Sequence, residues 1–345
     1  MAEAEERLLS IAAAFAVSGV PVRADAHTGG HINDTWFIAT DRDARYVLQR
    51  INPLVFVDPA GIAANTARVI STIQRTAPGL APPFVSARDG AAVVRDDSGT
   101  YRMLGFVEGR SLGGLESVAQ ASAAGVAFGR FQLALAHYDA SSHVVPISRF
   151  HELEWQLERF DAVLQKPVPE RRAAAANDIA RAQRDGLRVT AESLGPRGMI
   201  HGDGKVTNLL FDAEDRVCAV LDFDTVMAGT LSWDFGDLVR SAAALGDEDD
   251  PRIDFSIERY RALATGYVRG AGDLVDADLR AALGAVPAYM AYMLGLRFLI
   301  DYLDGDAYFR VAHPEHNLVR ARSQFRLFQL MVDARAELDR IARKA

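Results

Sequence analysis

Asp203, Asn208 and Asp222 follow one another as carboxylate, amide and carboxylate, and their surroundings indicate how each is presented. The stretch His201-Gly202-Asp203-Gly204-Lys205-Val206-Thr207-Asn208 has two glycines and no apolar period, so it reads as an irregular loop. Residues 209 to 211 and 217 to 221 are short apolar runs flanking the polar turn Asp212-Ala213-Glu214-Asp215-Arg216, which is a hairpin pattern. A turn centred near Glu214 and Asp215 sets Asn208 almost opposite Asp222, where opposed Cα atoms lie about 4.5 to 5.5 Å apart. One amide and one carboxylate suit Mg²⁺, which takes few protein oxygens and keeps its other positions for water and phosphate. Asp203, five residues before Asn208, can then accept a proton from a hydroxyl nucleophile, the division of labour of phosphoryl transfer. Singly, His201 is an ordinary loop histidine, Asn208 a turn residue, and Asp222 and Asp234 caps. Those readings leave the ordered spacing unexplained.

The elements that must position these groups differ along the chain. Residues 5 to 17 form one amphipathic helix, and from about 21 to 107 short β-like runs (35 to 39, 45 to 51, 92 to 95, 101 to 107) surround one helix near 59 to 76. Beyond Gly109 the chain is mainly helical, with expected helices at about 116 to 138, 148 to 163, 168 to 193, 231 to 244, 253 to 270, 276 to 303 and 315 to 343. The expected architecture is α+β with two lobes, a small antiparallel sheet over 1 to 107 and a helical lobe over 108 to 345. At 345 residues the chain exceeds one ordinary core, and 49% apolar with 24% charged residues is a globular composition. A net charge of −8 argues against nucleic acid as a partner. The lone Cys218, the acidic start and the short apolar runs lead us to expect a cytoplasmic protein without a membrane segment, as monomer or homodimer.

The loop and hairpin resemble the catalytic segment of the aminoglycoside phosphotransferase and choline kinase superfamily, which is distantly related to protein kinases. His201, Asp203 and Asn208 match its H-x-D-x-x-x-x-N motif, and Asp222 matches its metal-binding aspartate. The resemblance implies a protein-kinase-like fold, ATP as donor, Mg²⁺ as cofactor, Asp203 as base, Lys205 at the transferring phosphate, and Asn208 and Asp222 on the metal. It also implies that an aspartate of Trp233-Asp234-Phe235-Gly236-Asp237 braces the loop with His201; Asp234 is the assignment and Asp237 the alternative.

Thr28-Gly29-Gly30-His31-Ile32-Asn33-Asp34 lies between two expected strands and could cover nucleotide phosphates through Gly29, Gly30 and Asn33. Paired glycines equally make a plain tight turn. Where most relatives carry a phosphate-binding lysine, the strand Arg45-Tyr46-Val47-Leu48-Gln49-Arg50 has Gln49, and Arg68 is the one charged residue from 61 to 73, so the usual Lys/Glu pair is missing. Either Gln49 binds phosphate as a neutral donor or Arg50 substitutes; alternation puts Arg50 on the opposite face, which favours Gln49. Adenine is expected against 101 to 108, with Met103 and Phe106.

Across the chain the sequence is similar to the bacterial N-acetylhexosamine 1-kinases. The similarity runs through Gly30-His31-Ile32-Asn33, Tyr46-Val47-Leu48-Gln49 with the same glutamine, Asp222-Phe223-Asp224-Thr225, and residues 297 to 309 and 313 to 320. It implies a sugar acceptor phosphorylated on its anomeric hydroxyl, with Arg297 and Tyr308 in the sugar pocket beside Asp203. His31 belongs either to that pocket or to the phosphate loop. Residue types allow this, since hydroxyls need directional partners over an apolar floor; spacing alone favours a surface Arg297/Asp301 pair and a polar interhelix loop, and the resemblance reverses that. Two other readings remain: a hydroxyl kinase for an aminoglycoside or choline-like acceptor, and a nucleotide-binding pseudokinase.

Overall fold

The computed structural model describes residues 2–27, 32–166, 168–189 and 194–345. The chain forms two compact units whose segments interleave: Met1–Arg110 with Ala134–Ser148 and Leu209–Met227, and Ser111–Leu133 with Arg149–Asn208 and Ala228–Ala345. The fold is α+β, with a small antiparallel sheet in the first unit and helices dominating the second.

The first unit opens with α1 (Ala2–Ala13) and carries β1 (Pro21–His27), β2 (Asp34–Thr40), β3 (Arg45–Arg50), α2 (Pro59–Thr76), β4 (Phe84–Val85), β5 (Val94–Asp96) and β6 (Gly99–Gly105). The sheet order is β1-β2-β3-β6-β4, with β5 on β6. Directly paired residues share a face, so Leu48 and Met103 form one pair and Gln49 and Arg102 the next, on opposite sides. Leu48, Met103, Tyr101 and Ile38 form one buried cluster with Leu8, Ile11 and Phe15. The other face presents Gln49 and Arg102, whose guanidinium bonds to Thr66 of α2. That helix spans the expected residues because Asp58 caps it through the Gly61 N–H, Pro59 opens it, and Ile62, Thr66, Val69, Ile70 and Ile73 recur on its buried side.

The expected hairpin is β9 (Leu209–Phe211) and β10 (Val217–Val220). Asp212 builds its turn by accepting from the Glu214 and Arg216 N–H groups, with Asp215 left-handed at φ 61°. The register differs from the expected one. After a bulge between Val217 and Ala219, Leu209 pairs with Val220, one residue short of the Leu221 that the expected opposition gives. Asp222 therefore lies beyond the strand, in a left-handed conformation at φ 63°, which aspartate tolerates better than most residues.

After β7 (Arg110–Ser111), the second unit is built from α3 (Val118–Ala134), α4 (Leu153–Leu164), α5 (Pro169–Ala174), α6 (Ala176–Val189), α7 (Ser232–Ala242), α8 (Ile257–Ala271), α9 (Ala277–Ala282), α10 (Val286–Asp304), α11 (His316–Asp333) and α12 (Arg335–Lys344). Two short strand pairs accompany them: β8 (Arg197–Ile200) with β11 (Met227–Thr230), and β12 (Ala244–Leu245) with β13 (Asp254–Phe255). The long helix α10 is buried along most of its length and packs on α4, α7 and α11. One helix expected at 276 to 303 is two, α9 and α10, since Pro287 in the first turn of α10 has no N–H to continue a helix from before it. Among the described residues no helix is long and apolar enough to cross a membrane.

Candidate active site

The loop after β8 is held from below by one carboxylate. Asp234, in the first turn of α7, accepts from the His201 N–H at 2.7 Å, the Gly202 N–H at 2.9 Å and the Gln132 side-chain amide at 2.8 Å. Burial pushes its pKa up, against the opposing pull of His201 and these bonds. Gly204 must lack a side chain here, because a Cβ would meet the Asp234 carbonyl oxygen at 2.7 Å. Asp237, the alternative brace, is instead taken by Arg240 at 2.8 Å.

His201 is fully buried, with its ring against Phe128 and Phe131 and its Nδ1 accepting the Asp203 N–H at 3.3 Å. From the other side His151 Nε2–H donates to the Gly202 carbonyl at 2.7 Å. Burial lowers the His151 pKa to about 4, so the ring is neutral and carries its proton on that nitrogen.

Within the loop, Asp203 Oδ2 meets Lys205 Nζ at 2.7 Å and Asn208 Nδ2 at 3.0 Å; Asn208 Nδ2 also donates to the Asp203 carbonyl at 2.9 Å. Burial raises the Asp203 pKa, but the Lys205 ammonium and the Asn208 bond outweigh it and leave the carboxyl below its ordinary range. Asp203 is therefore ionised at neutral pH. Asn208 spends its N–H groups on Asp203, which leaves its amide oxygen as a neutral hard donor.

Also in the second unit, Arg297 of α10 lies over three rings: Phe150 at 4.4 Å, Phe309 at 5.5 Å and Tyr308 at 5.7 Å. Among the described residues no hydrogen bond or ion pair holds its guanidinium. Burial lowers its pKa, opposed by Tyr308 and by the carboxylates of Asp237 and Asp203. Asp301 does not pair with Arg297. It is buried and accepts from the Tyr308 and Phe309 N–H groups and from Asn317, so it shapes the loop that carries Tyr308, itself 51% exposed. The surface-pair reading of Arg297 and Asp301 is thereby replaced.

In the first unit, Asp222 is exposed and Asp224 is buried. Asn33 donates to Asp224 at 2.6 Å, and Gln49 accepts from Arg102 at 2.9 Å. Arg50 turns to the opposite face, onto Asp34 and the Ser98 carbonyl. Phe106 packs edge-on against Phe37 at 5.5 Å and beneath Arg45. Met103 does not join Phe106: it is 0% exposed in the cluster with α1, because it stands on the face opposite Gln49, and it offers a nucleotide no surface. Gly29, Gly30 and His31 lie outside the described residues. The Asn208 amide oxygen in the second unit and the exposed Asp222 carboxylate in the first are each of a ligand type that a hard divalent cation takes.

A family model described as a phosphotransferase enzyme family, APH, matches residues 24–283. The chain belongs to this family. Similar solved structures include an amicoumacin kinase in complex with AMP-PNP, Ca²⁺ and Ami (14% identical, TM-score 0.65, covering 93% of this chain and 92% of that one). A microcompartment-associated aminopropanol kinase is 16% identical at TM-score 0.60, covering 96% and 98%. A choline kinase from Cryptosporidium parvum Iowa II is 12% identical at TM-score 0.56, covering 91% and 90%. At these identities the likeness is one of fold.

In this phosphotransferase Gln132, His151, Phe150 and Arg102 lie outside the sequence motifs, and Asp224 stands in one without an assigned role. Two of them carried a signal: Arg102 interrupts the apolar run Tyr101 to Leu104, and Gln132 stands between Phe131 and Leu133 in an Ala-rich helix. An isolated polar residue in an apolar element marks a buried hydrogen bond.

Proposed function

We propose that this phosphotransferase moves the terminal phosphoryl group of ATP to the anomeric hydroxyl of a free hexosamine or hexose, N-acetylglucosamine and N-acetylgalactosamine first among them. The observation that carries the acceptor class is Arg297, a guanidinium without a hydrogen-bonding partner among the described residues, flanked by three aromatic rings and acted on by the Asp203 carboxylate. A fork of donors beside aromatic faces matches a sugar, which offers oxygens around an apolar ring face.

In this reading the sheet-bearing unit serves the nucleotide and the helical unit the acceptor. The sugar oxygen forms the new bond to the terminal phosphorus as the bond to ADP breaks, and its proton passes to Asp203, already ionised through Lys205 and Asn208. Lys205 faces the transferring phosphate, Asn208 and Asp222 hold the metal, and Arg297 and Tyr308 hold the sugar. Gln49 and Phe106 contact the nucleotide, with Asn33, Gly29 and Gly30 at its phosphates and His31 at either ligand. Mg²⁺, when bound, neutralises phosphate charge.

An amine-bearing acceptor fits less well, because a desolvated ammonium needs acidic partners and Arg297 brings a like charge. The test is ATP consumption against free hexoses, N-acetylhexosamines, choline and aminoglycosides, with the phosphate position read by NMR. N-acetylhexosamines should react and their methyl glycosides should not, since the nucleophile is then blocked. Efficient phosphorylation of the methyl glycoside, or of choline alone, removes the 1-kinase reading.

A further inference from the structure

Arg102 is the largest fully buried side chain of the protein's described residues, at 1% exposure. It stands on β6 directly across from Gln49 of β3. Its Nε donates to Gln49 Oε1 at 2.9 Å, and its Nη1 donates to Thr66 Oγ1 of α2 at 3.0 Å and pairs with Asp224 Oδ1. The second oxygen of Asp224 accepts from Asn33 Nδ2 at 2.6 Å, and Asn33 in turn accepts the Asn52 N–H at 3.0 Å. One guanidinium thus joins two strands, a helix and the turn that begins with Asp222.

A buried ion pair adds little net stability compared with an apolar pair, because desolvation offsets the attraction; what it can add is a single permitted arrangement. Asp222 follows the β9/β10 ladder, whose last pair is Leu209 with Val220, and takes a left-handed conformation. The turn is anchored two residues later, at Asp224. The pairing also matters for charge. With Asp224 paired to Arg102, Asp222 is the exposed carboxylate of the Asp-Phe-Asp turn.

We propose that Arg102 is a positioning residue that acts through Asp224 to fix the Asp222 carboxylate for the metal–nucleotide complex, with Gln49 and Thr66 orienting the guanidinium. The chain thereby supplies from β6 the buried cation that β3, with Gln49, lacks. Gln49 acts here through its oxygen, toward Arg102, and its Nε2 donates one N–H to Thr35 Oγ1 at 3.5 Å, leaving the other for phosphate. This inference rests on Asp222 as a metal ligand.

The test uses the full chain and reads Mg·ADP binding by calorimetry over a range of Mg²⁺, beside thermal unfolding. Arg102→Met and Asp224→Asn should each weaken Mg·ADP at least tenfold and raise the Mg²⁺ needed for half-maximal binding, with the acceptor KM within twofold of the unmutated chain. Arg102→Met/Asp224→Leu should recover melting temperature without recovering Mg·ADP affinity, a separation that a merely structural pair would not show. If Arg102→Met does not fold, Thr66→Val, which removes one bond to the guanidinium, should shift the Mg²⁺ dependence two- to fivefold in the same direction. Binding that stays within twofold in these variants while the melting temperature falls overturns the anchor alone. Failure of the unmutated chain to bind Mg·ADP overturns the kinase reading and the anchor with it.

Discussion

At the scale of single residues, the proposed base is Asp203, held in an ionised state by the 2.7 Å contact to Lys205 and the bond from Asn208. Asp203→Asn keeps volume and removes the proton acceptor, so turnover should fall about 10²-fold or more, while Mg·ADP affinity measured by calorimetry should stay within about twofold. Near-normal turnover would take the base role away from Asp203. On the acceptor side, Arg297→Ala should raise the KM for the sugar more than Tyr308→Phe does, with the KM for ATP unmoved in both. The reason is that bonds from a charged donor are worth about 1.5 to 3 kcal/mol and from a neutral hydroxyl about 0.5 to 1.5. Steady-state kinetics with each substrate varied in turn decides it, and a larger effect at Tyr308 would reverse the ranking.

At the scale of elements, α3 and α8 approach each other backbone to backbone. A Cβ on Gly125 would meet the Leu263 carbonyl oxygen at 2.3 Å, one on Gly129 the Tyr267 oxygen at 2.4 Å, and ones on Gly266 and Gly270 the Ser122 and Val126 oxygens, both at 2.3 Å. Glycines four apart on each helix are what permit this crossing, and the crossing matters to the site. The same α3 carries Gln132, which binds Asp234 and accepts a bond from the Tyr267 hydroxyl of α8. Gly270→Ala should therefore destabilise by about 1 to 3 kcal/mol, the range for forcing an extra methyl into a packed contact. Gly113→Ala, where a Cβ meets nothing within 4 Å, should stay within about 0.5 kcal/mol. Denaturant unfolding of the two variants checks the contrast, and equal shifts would mean that the helices re-space without cost.

For the molecule as a whole, acid should be destabilising before the carboxylates titrate. His151 in the second unit is depressed to about 4 by burial, from an ordinary value of 6.5, and His143 in the first is also lowered by burial. A base whose folded pKa lies below its unfolded one leaves the unfolded chain binding more protons between those values. Stability is then greatest above about 6.5 and falls as pH drops toward 4, by at most about 1.4 kcal/mol per pH unit for His151. His151→Gln should flatten the decline in melting temperature between pH 7 and 5 relative to the unmutated protein. An unchanged slope would show that His151 is not buried neutral.

What the sequence determined about this phosphotransferase is local in origin. The α+β class, α2 at 59–76, the Asp212 turn and the order of Asp203, Asn208 and Asp222 follow from periodicity, caps and spacing, which act over a few residues. Tertiary structure decided which face of a strand meets what. Met103 and Arg102 are neighbours in an expected strand, yet one closes the α1 cluster and the other is the buried cation. It also inserted the bulge that sets the β9/β10 register, and it joined Arg102 to Asp224, 122 positions apart. Such pairs leave no periodic trace, because each partner alone looks like an ordinary strand or turn residue; only the closing of the chain on itself removes the water that either charge would otherwise keep.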